Sequence, residues 1–251
     1  MAGAAATAPI AGRAASLWTY DGQPAAGATP TTAAICDNTT NGGLKQADPG
    51  GGRQKFLYSA WATGLVAGTL VLYDRILHIG GLSGTTTTAQ NVQTSTPSPA
   101  LTRHTDGLGN IAFIEIYTII GTTATTVTMN YVDQDGNTGV TSPAVPIGGT
   151  GFREVTRAIF LPLASGDTGI QAVESVDLLA TTGTAGNFGV TIGHPIAYVG
   201  IGTPGGAGWR DFSTGLPGIP EIETDACLAF LWLPNTTTAP EVFGALSMVE
   251  S

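Results

Sequence analysis

The sequence predicts an all-β protein, with a β-sandwich or jelly-roll-like fold and long loops rich in Gly, Thr and Pro. Residues 111–120 form a continuous run of β-branched and aromatic side chains. Residues 126–131 alternate, with Val127, Met129 and Tyr131 on one face, which is the period-two pattern of a half-buried strand. About eight to ten such short strands, separated by turn residues, are typical of a sandwich.

These two runs predict a hairpin at the centre of the fold. Residues 121–123 follow the first run as a turn. Residues 133–139 close the second run with the sequence DQDGNTG, whose residue types tolerate positive φ. We therefore expect the strands on either side of residues 121–123 to be paired neighbours.

The N-terminal residues have a different composition from the rest. Residues 1–16 are rich in alanine and contain Pro9 and Gly12, so few of their side chains can be buried. They predict a flexible or partner-bound arm. Residues 17–251 predict a single large β domain, because all-β units reach about 200 to 250 residues. The glycine-rich break at residues 148–151 is a candidate subdivision.

Residues 56–73 contain no charged side chain and include the small-xxx-small spacing of Gly64 and Gly68. This length and composition would suit a membrane-spanning helix. The interior glycines and threonines, together with the strand-and-turn character of the rest, favour two buried strands at residues 57–63 and 69–77. We therefore expect no membrane association.

The rest of the chain predicts short strands separated by loops. The expected strands are residues 33–36, 140–147 at a sheet edge, 155–163, 170–180, 188–192 resuming at 196–199, 226–233, and an edge piece at 242–249. Residues 226–233 are apolar on both faces, which predicts a central strand covered on each side. Residues 85–99 and 200–220 predict loops from their Thr/Ser/Gln/Pro and Gly/Pro contents.

The chain is weakly charged. Charged residues are 11% of the total, against roughly 25% in ordinary soluble proteins. Nine basic and 18 acidic residues give a net charge of −9, which excludes a nucleic-acid partner because phosphate neutralisation needs clustered Lys and Arg. A Gly/Thr/Ala-rich surface with so few charges does little to prevent association, so we expect a homo-oligomer.

Two motifs resemble ligand sites, but the sequence around each lacks other features that the site requires. Residues 200–205 match GxGxxG, yet loop sequence follows where a nucleotide fingerprint requires a helix. Asp133, Asp135 and Asn137 mimic the first ligands of a calcium loop, but the required Gly and Glu are absent further along. A hairpin turn explains this acidic cluster, with weak calcium binding as the alternative.

The candidate catalytic and metal-ligating residues are isolated. His78, His104 and His194 lack the spacing of a metal site. Ser83 misses the GxSxG elbow by one residue. The two cysteines, Cys36 and Cys227, predict buried free thiols.

The four tryptophans are Trp18, Trp61, Trp209 and Trp232. They could form a sugar-stacking platform, but three of them lie in predicted strands, which favours packing in the core. The sequence thus predicts no catalytic residue, no cofactor-binding residue, no metal site and no cofactor, and we expect a protein that is not an enzyme.

Several phrases resemble structural proteins of tailed-bacteriophage virions. They are residues 161–176, LPLASGDTGIQAVESV, residues 184–189, TAGNFG, residues 73–77, YDRIL, and residues 80–84, GGLSG. The resemblance implies a particle component. The main capsid shell protein is disfavoured, because its fold is associated with a long charged helix and no stretch of this chain predicts one.

The resemblance and the composition together lead to one functional hypothesis. We expect a capsid decoration or cement protein that stabilises the head through contacts with itself and with the major capsid protein or other virion proteins. Its location would be the virion, assembled in the host cytoplasm. The alternatives are a tail or baseplate structural protein, and a carbohydrate-binding or receptor-binding β module.

Overall fold

The computed structural model describes residues 9–93, 99–213 and 218–251, together with the backbone of residues 2–4. Within these ranges there are eighteen strands and no helix. This confirms the predicted all-β class, while the jelly-roll form stays a prediction. The described residues form no helix of the length and hydropathy needed to cross a membrane.

The strands are numbered in chain order. They are β1 (Ala2–Ala4), β2 (Ala15–Ser16), β3 (Asp21–Gln23), β4 (Ala34–Ile35), β5 (Lys55–Gly64), β6 (Gly68–Leu82), β7 (Gln90–Asn91), β8 (Ile111–Thr118), β9 (Ala124–Asp133), β10 (Val140–Thr141), β11 (Val145–Gly148), β12 (Ala158–Leu161), β13 (Ile170–Leu178), β14 (Asn187–Ile201), β15 (Ala207–Asp211), β16 (Glu221–Ile222), β17 (Leu228–Pro234) and β18 (Glu241–Glu250).

The chain forms two compact units, each assembled from separate segments. The first unit comprises Met1–Ala28, Asp37–Asp74 and Ile196–Ser251, and the second comprises Thr29–Cys36 and Arg75–Pro195. The long strands β6 and β14 contribute residues to both units. Residues 148–151, the candidate subdivision, lie inside the second unit.

The first unit contains a six-stranded antiparallel sheet, here called sheet A. Its order is β15-β5-β18-β1-β3, and β16 also pairs with β5. The other layer of this unit pairs β17 with β2 and with the first part of β6. A shared apolar core includes Leu57, Leu70, Leu72, Phe230 and Trp232. The unit is therefore sandwich-like.

The second unit is also sandwich-like. One layer has the order β10-β9-β13-β7, with β11 also paired to β9. The other layer pairs β8 with β12 and β14, and β4 with β6. The alternating residues of β9 point inward as predicted, because Val127, Met129 and Tyr131 are fully buried with Ile114 and Ile116 of β8.

The predicted central hairpin is wrong, because β8 and β9 do not pair. β8 pairs with β12 and β14, whereas β9 pairs with β10, β11 and β13. Residues 121–123 therefore take the chain from one layer to the other, and both strands bury apolar side chains in one core. The Gly121 N–H donates to Thr182 Oγ1 at 2.9 Å in this connection. Alternation predicts which face is buried, but it does not identify the neighbouring strand.

Part of the predicted N-terminal arm belongs to the sheets. Ala2–Ala4 pairs with β3 and β18, and Ala15–Ser16 pairs with β17. Residues with small side chains can be ordered in this way because sheet pairing uses the backbone N–H and C=O groups. Residue 1 and residues 5–8 of the arm lie outside the described residues.

Three strands differ from their predicted positions. β14 runs unbroken through His194 and Pro195, where we expected an interruption, because proline is compatible with an extended backbone. β15 lies within the predicted loop of residues 200–220, where pairing with β5 orders it. β18 pairs with β5 and β1, so it lies inside sheet A and not at its edge.

The predicted loop at residues 85–99 is partly ordered. It contains β7, which pairs with β13. The side chains of Gln90 and Gln93 are buried because they replace backbone partners: Gln90 Oε1 accepts from Ser83 N at 2.7 Å, and Gln93 Oε1 accepts from Val173 N at 2.9 Å. Residues 94–98 lie outside the described residues.

The hydroxyl of Tyr131 lies in a site that disfavours ionisation. Burial, and donation of its hydrogen bond to Asp167 Oδ2, raise the pKa of Tyr131 to about 12. Burial and the adjacent Glu115 carboxylate likewise raise the pKa of Tyr117 well above its ordinary value. Both tyrosines therefore keep their protons in the folded state at a pH where the unfolded chain loses them.

We expect the free energy of unfolding to fall as the pH rises above about 10, where unfolded tyrosine ionises. With two such groups the slope is about 2.7 kcal/mol per pH unit at its steepest. Urea denaturation at pH 9, 10 and 11 measures it. Tyr131→Phe should lower the stability at pH 9 and also make the slope shallower by about half. An unchanged slope in this variant would contradict the assignment.

Candidate functional site

Sheet A has a buried side and a solvent-exposed side. Along β5, Ala60 and Ala62 are buried, while Ser59, Trp61 and Thr63 lie on the opposite side. Successive residues of a strand point to opposite faces. The alternation of β5 therefore places Trp61 in solvent, although its size favours burial.

Cross-strand register arranges the outer side chains in three rows that run across β15, β5 and β18. The rows are Trp209–Trp61–Ala245, Ala207–Thr63–Phe243 and Asp211–Ser59–Ser247. We call these nine residues the aromatic face. Residues paired directly across a sheet have Cβ atoms about 5 Å apart, so Trp61 and Trp209 are immediate neighbours.

The aromatic face exposes a large apolar surface. The exposed fraction is 69% for Trp209, 42% for Trp61 and 41% for Phe243. Because aromatic side chains of this kind have areas of about 150–250 Å², the three leave roughly 300 Å² of apolar surface in solvent. Patches of that size on a monomer are often functional, so this face is the strongest candidate for an interaction surface among the described residues of the first unit.

Asp211 is the only ionisable residue among the nine. Its Oδ1 accepts hydrogen bonds from the N–H and the hydroxyl of Ser213 at 2.8 and 2.6 Å. These bonds, with the Ser213 hydroxyl first, lower the pKa of Asp211. Asp211 is therefore a fixed carboxylate at the border of an otherwise neutral surface.

The neighbouring Arg210 is engaged away from this face. Its guanidinium carbon lies 4.4 Å from the ring centroid of Tyr198 and 5.8 Å from that of Phe212. Contacts of this length are cation–π interactions. The aromatic face therefore combines flat apolar rings, small side chains, hydroxyl groups and one anion, with no cation.

The prediction that the tryptophans pack in the core is right for two of them. Trp18 and Trp232 are 2% and 0% exposed, whereas Trp61 and Trp209 form a cross-strand pair in solvent. A signal for Trp61 was present in the sequence, because Ser59, Trp61 and Thr63 alternate with alanines. No such signal existed for Trp209, since its strand was predicted to be a loop.

The histidines that are distant in sequence partly come together. The rings of His104 and His194 stack with centroids 3.8 Å apart, and His194 Nδ1 lies 3.0 Å from Asn110 Oδ1. His78 Nδ1 instead accepts a hydrogen bond from Arg75 Nε at 3.1 Å. Among the described residues, no three His, Cys, Asp or Glu side chains are grouped to hold a metal.

The acidic cluster at residues 133–137 forms the predicted turn. Asp133 Oδ1 accepts hydrogen bonds from the N–H groups of Asp135 and Asn137 at 2.8 and 2.9 Å. Hydrogen bonds, first of all that from the Asn137 side chain, lower the pKa of Asp133. The carboxylate thus closes the hairpin between β9 and β10.

The two remaining motifs have ordinary surroundings. Residues 200–205 end β14 and lead into β15, a strand, where a nucleotide fingerprint requires a helix. Ser83 Oγ lies 2.9 Å from Thr85 Oγ1. Cys36 and Cys227 are buried thiols, as predicted, and neither forms a disulfide.

The second unit contains a buried ionic cluster that the sequence did not reveal. Arg75 on β6 and Glu115 on β8 are 0% and 1% exposed, with Arg75 Nη2 and Glu115 Oε2 2.5 Å apart. Thr191 on β14 and Tyr117 also donate to Glu115 Oε2, at 2.5 and 2.8 Å. These bonds connect three strands of one layer, so the cluster specifies their register.

Comparison of the chain with protein-family models, with curated proteins and with solved structures finds no match. The aromatic face is the feature of the described residues that is best suited to meeting a partner.

Proposed function

We propose that the protein is a non-enzymatic structural protein of a phage virion, most specifically a capsid decoration or cement protein that stabilises the head. Its partners would be copies of itself and the major capsid protein or other virion proteins. The observation that supports this proposal best is the aromatic face, a sheet surface with a single carboxylate at its border and roughly 300 Å² of exposed apolar area.

Assembly on a lattice suits a weakly charged β protein. Stable protein interfaces bury about 1,600 Å² in total, and covering Trp61 and Trp209 would supply part of that area. Contacts repeated across a lattice reinforce one another, so no single contact needs to be strong. The sequence resemblance to virion structural proteins supports the same proposal.

Quantitative mass spectrometry of purified particles tests the proposal. A decoration protein should be present in hundreds of copies per particle, because it follows the capsid lattice. A few copies at a single vertex would instead indicate the alternative, a tail or baseplate protein. Absence from purified particles would contradict both structural roles.

A carbohydrate-binding module is the second candidate, and the paired tryptophans favour it. Sugar rings stack on exposed indoles, and one row away lie Asp211, Ser59 and Ser247, whose oxygens can form hydrogen bonds with sugar hydroxyls. A glycan array with Trp209→Ala tests this candidate. Phe160→Ala is the matched control, because Phe160 is 44% exposed but belongs to the second unit. Binding that is lost only in Trp209→Ala would support this candidate over the structural proposal.

A further inference from the structure

We infer that the aromatic face is a two-fold interface through which two copies of this chain pack face to face, with the symmetry axis parallel to β5. This inference rests on the proposed function, since it names the surface and the partner through which subunits meet. It follows from the order of large and small residues in the three rows.

A two-fold axis along β5 reverses the lateral order of the strands in the second copy. β15 of one copy then lies over β18 of the other, and β5 lies over β5. Each row meets the same row of the second copy, because rotation about the strand direction leaves position along the strand unchanged. An interface of this kind must be complementary to itself.

The rows meet this requirement. Trp209 would lie over Ala245 of the second copy, and Phe243 would lie over Ala207, so each of these two rings meets a small residue. Asp211 would lie over Ser247, whose hydroxyl can donate a hydrogen bond to the carboxylate. Trp61 would meet its own counterpart at the axis.

The other in-plane axis, perpendicular to the strands, lacks this complementarity. Centred on the tryptophan row, it would place Trp209 over its counterpart and Phe243 over Ser247. The Asp211 carboxylate would then lie over the Ala207 methyl group, and the second copy would offer it no hydrogen-bond donor there. The distribution of sizes and charge therefore selects the axis along β5.

Charge also permits the pairing, although the chain carries a net charge of −9. Asp211 lies on β15, so the two Asp211 carboxylates of the pair are on opposite sides of the axis. Strand spacing alone separates them by about 10 Å. That distance is about one Debye length at physiological ionic strength, so their repulsion is weak.

The size of the face predicts a weak dimer in isolation. β15 pairs with β5 over five positions, which corresponds to about 17 Å along the strands. The three strands therefore give a footprint of roughly 250 Å² per copy and about 500 Å² in total. Interfaces of this size are transient, so we expect a micromolar or weaker dissociation constant that lattice contacts would reinforce.

Sedimentation equilibrium of the full chain over a wide concentration range tests the dimer. Trp209→Ala should raise the dissociation constant at least tenfold, because truncating an interface tryptophan commonly has this effect. Phe160→Ala should leave it unchanged. A wild-type chain that stays monomeric at the highest concentrations, or a dimer insensitive to Trp209→Ala, would overturn the inference.

Cross-linking tests the position of the axis. Facing sheets are about 10 Å apart, beyond the reach of a disulfide, so a short bis-maleimide is the appropriate reagent. Ser59→Cys lies on β5, next to the axis, and should cross-link copies faster than Ala207→Cys on β15. The reverse order would exclude this axis. The native Cys36 and Cys227 are fully buried and should not react.

The inference and the proposed function can fail separately. If the chain dimerises as described but is absent from purified particles, the inferred interface stands and the proposed virion role is contradicted. If the chain is present in particles but is monomeric in solution and does not cross-link through Ser59→Cys, the virion role stands and the inferred interface is contradicted. A monomer that binds glycans through Trp209 would contradict the dimer and indicate the carbohydrate module.

Discussion

Arg75→Met is expected to lower the free energy of unfolding by about 3–5 kcal/mol, because it leaves a buried carboxylate without its cation. Arg75 and Glu115 are almost completely inaccessible to solvent, and their charged groups are 2.5 Å apart. Removal of the cation therefore leaves the Glu115 carboxylate without a counter-charge in a place that water cannot reach. Urea denaturation followed by circular dichroism at pH 7 measures the loss.

The double variant Arg75→Met, Glu115→Gln is the control for this prediction. It removes both charges but keeps an acceptor for the hydroxyls of Thr191 and Tyr117. We expect it to be more stable than Arg75→Met alone, because replacing a whole buried ion pair costs less than breaking one. A loss below about 1 kcal/mol in the single variant, typical of exposed ion pairs, would show that the pair is solvated.

Gly121→Ala is expected to destabilise the protein by at least about 3 kcal/mol, the upper range for overpacking a tight site. A Cβ atom at Gly121 would lie 1.7 Å from the backbone oxygen of Thr182. Neither group is the end of a flexible side chain, so the connection between β8 and β9 would have to move. Thermal and urea denaturation of the purified variant measure the effect.

Gly202→Ala is the matched control. A Cβ atom at Gly202 has no neighbour within 4 Å, and its φ lies outside the left-handed region. We expect this change to stay within about 0.5 kcal/mol of the wild type, as most surface substitutions do. Equal stabilities for the two alanine variants would refute the close approach of Gly121 and Thr182.

The sequence predicts strands well where one face is buried. The alternation at residues 126–131 locates the buried side of β9, and the uncharged stretch at residues 56–73 contains most of β5 and the start of β6. The sequence does not predict which strands pair with each other. The turn at residues 121–123 could close a hairpin or connect two layers, and only contacts distant in sequence, such as that between Gly121 and Thr182, decide between them.

The candidate site was harder to predict than the fold. Trp209 lies in a stretch that reads as a loop, because glycine and proline surround it on both sides. Its strand is ordered by pairing with β5, about 150 residues earlier. The buried pair of Arg75 and Glu115 was not predicted either, because the two residues lie on different strands, 40 positions apart, and the pattern along one strand does not identify its neighbours.

The turn of the hairpin between β9 and β10 is suited to the insertion of an additional peptide. Residues 135–139 are exposed, and the carboxylate of Asp133 organises the turn from its strand end. A peptide spliced between Asn137 and Thr138 would lengthen an existing surface loop, and the entropic cost of loop length grows slowly. If the protein coats a particle, this tip is a natural insertion point for displaying an antigen or an affinity tag in many copies.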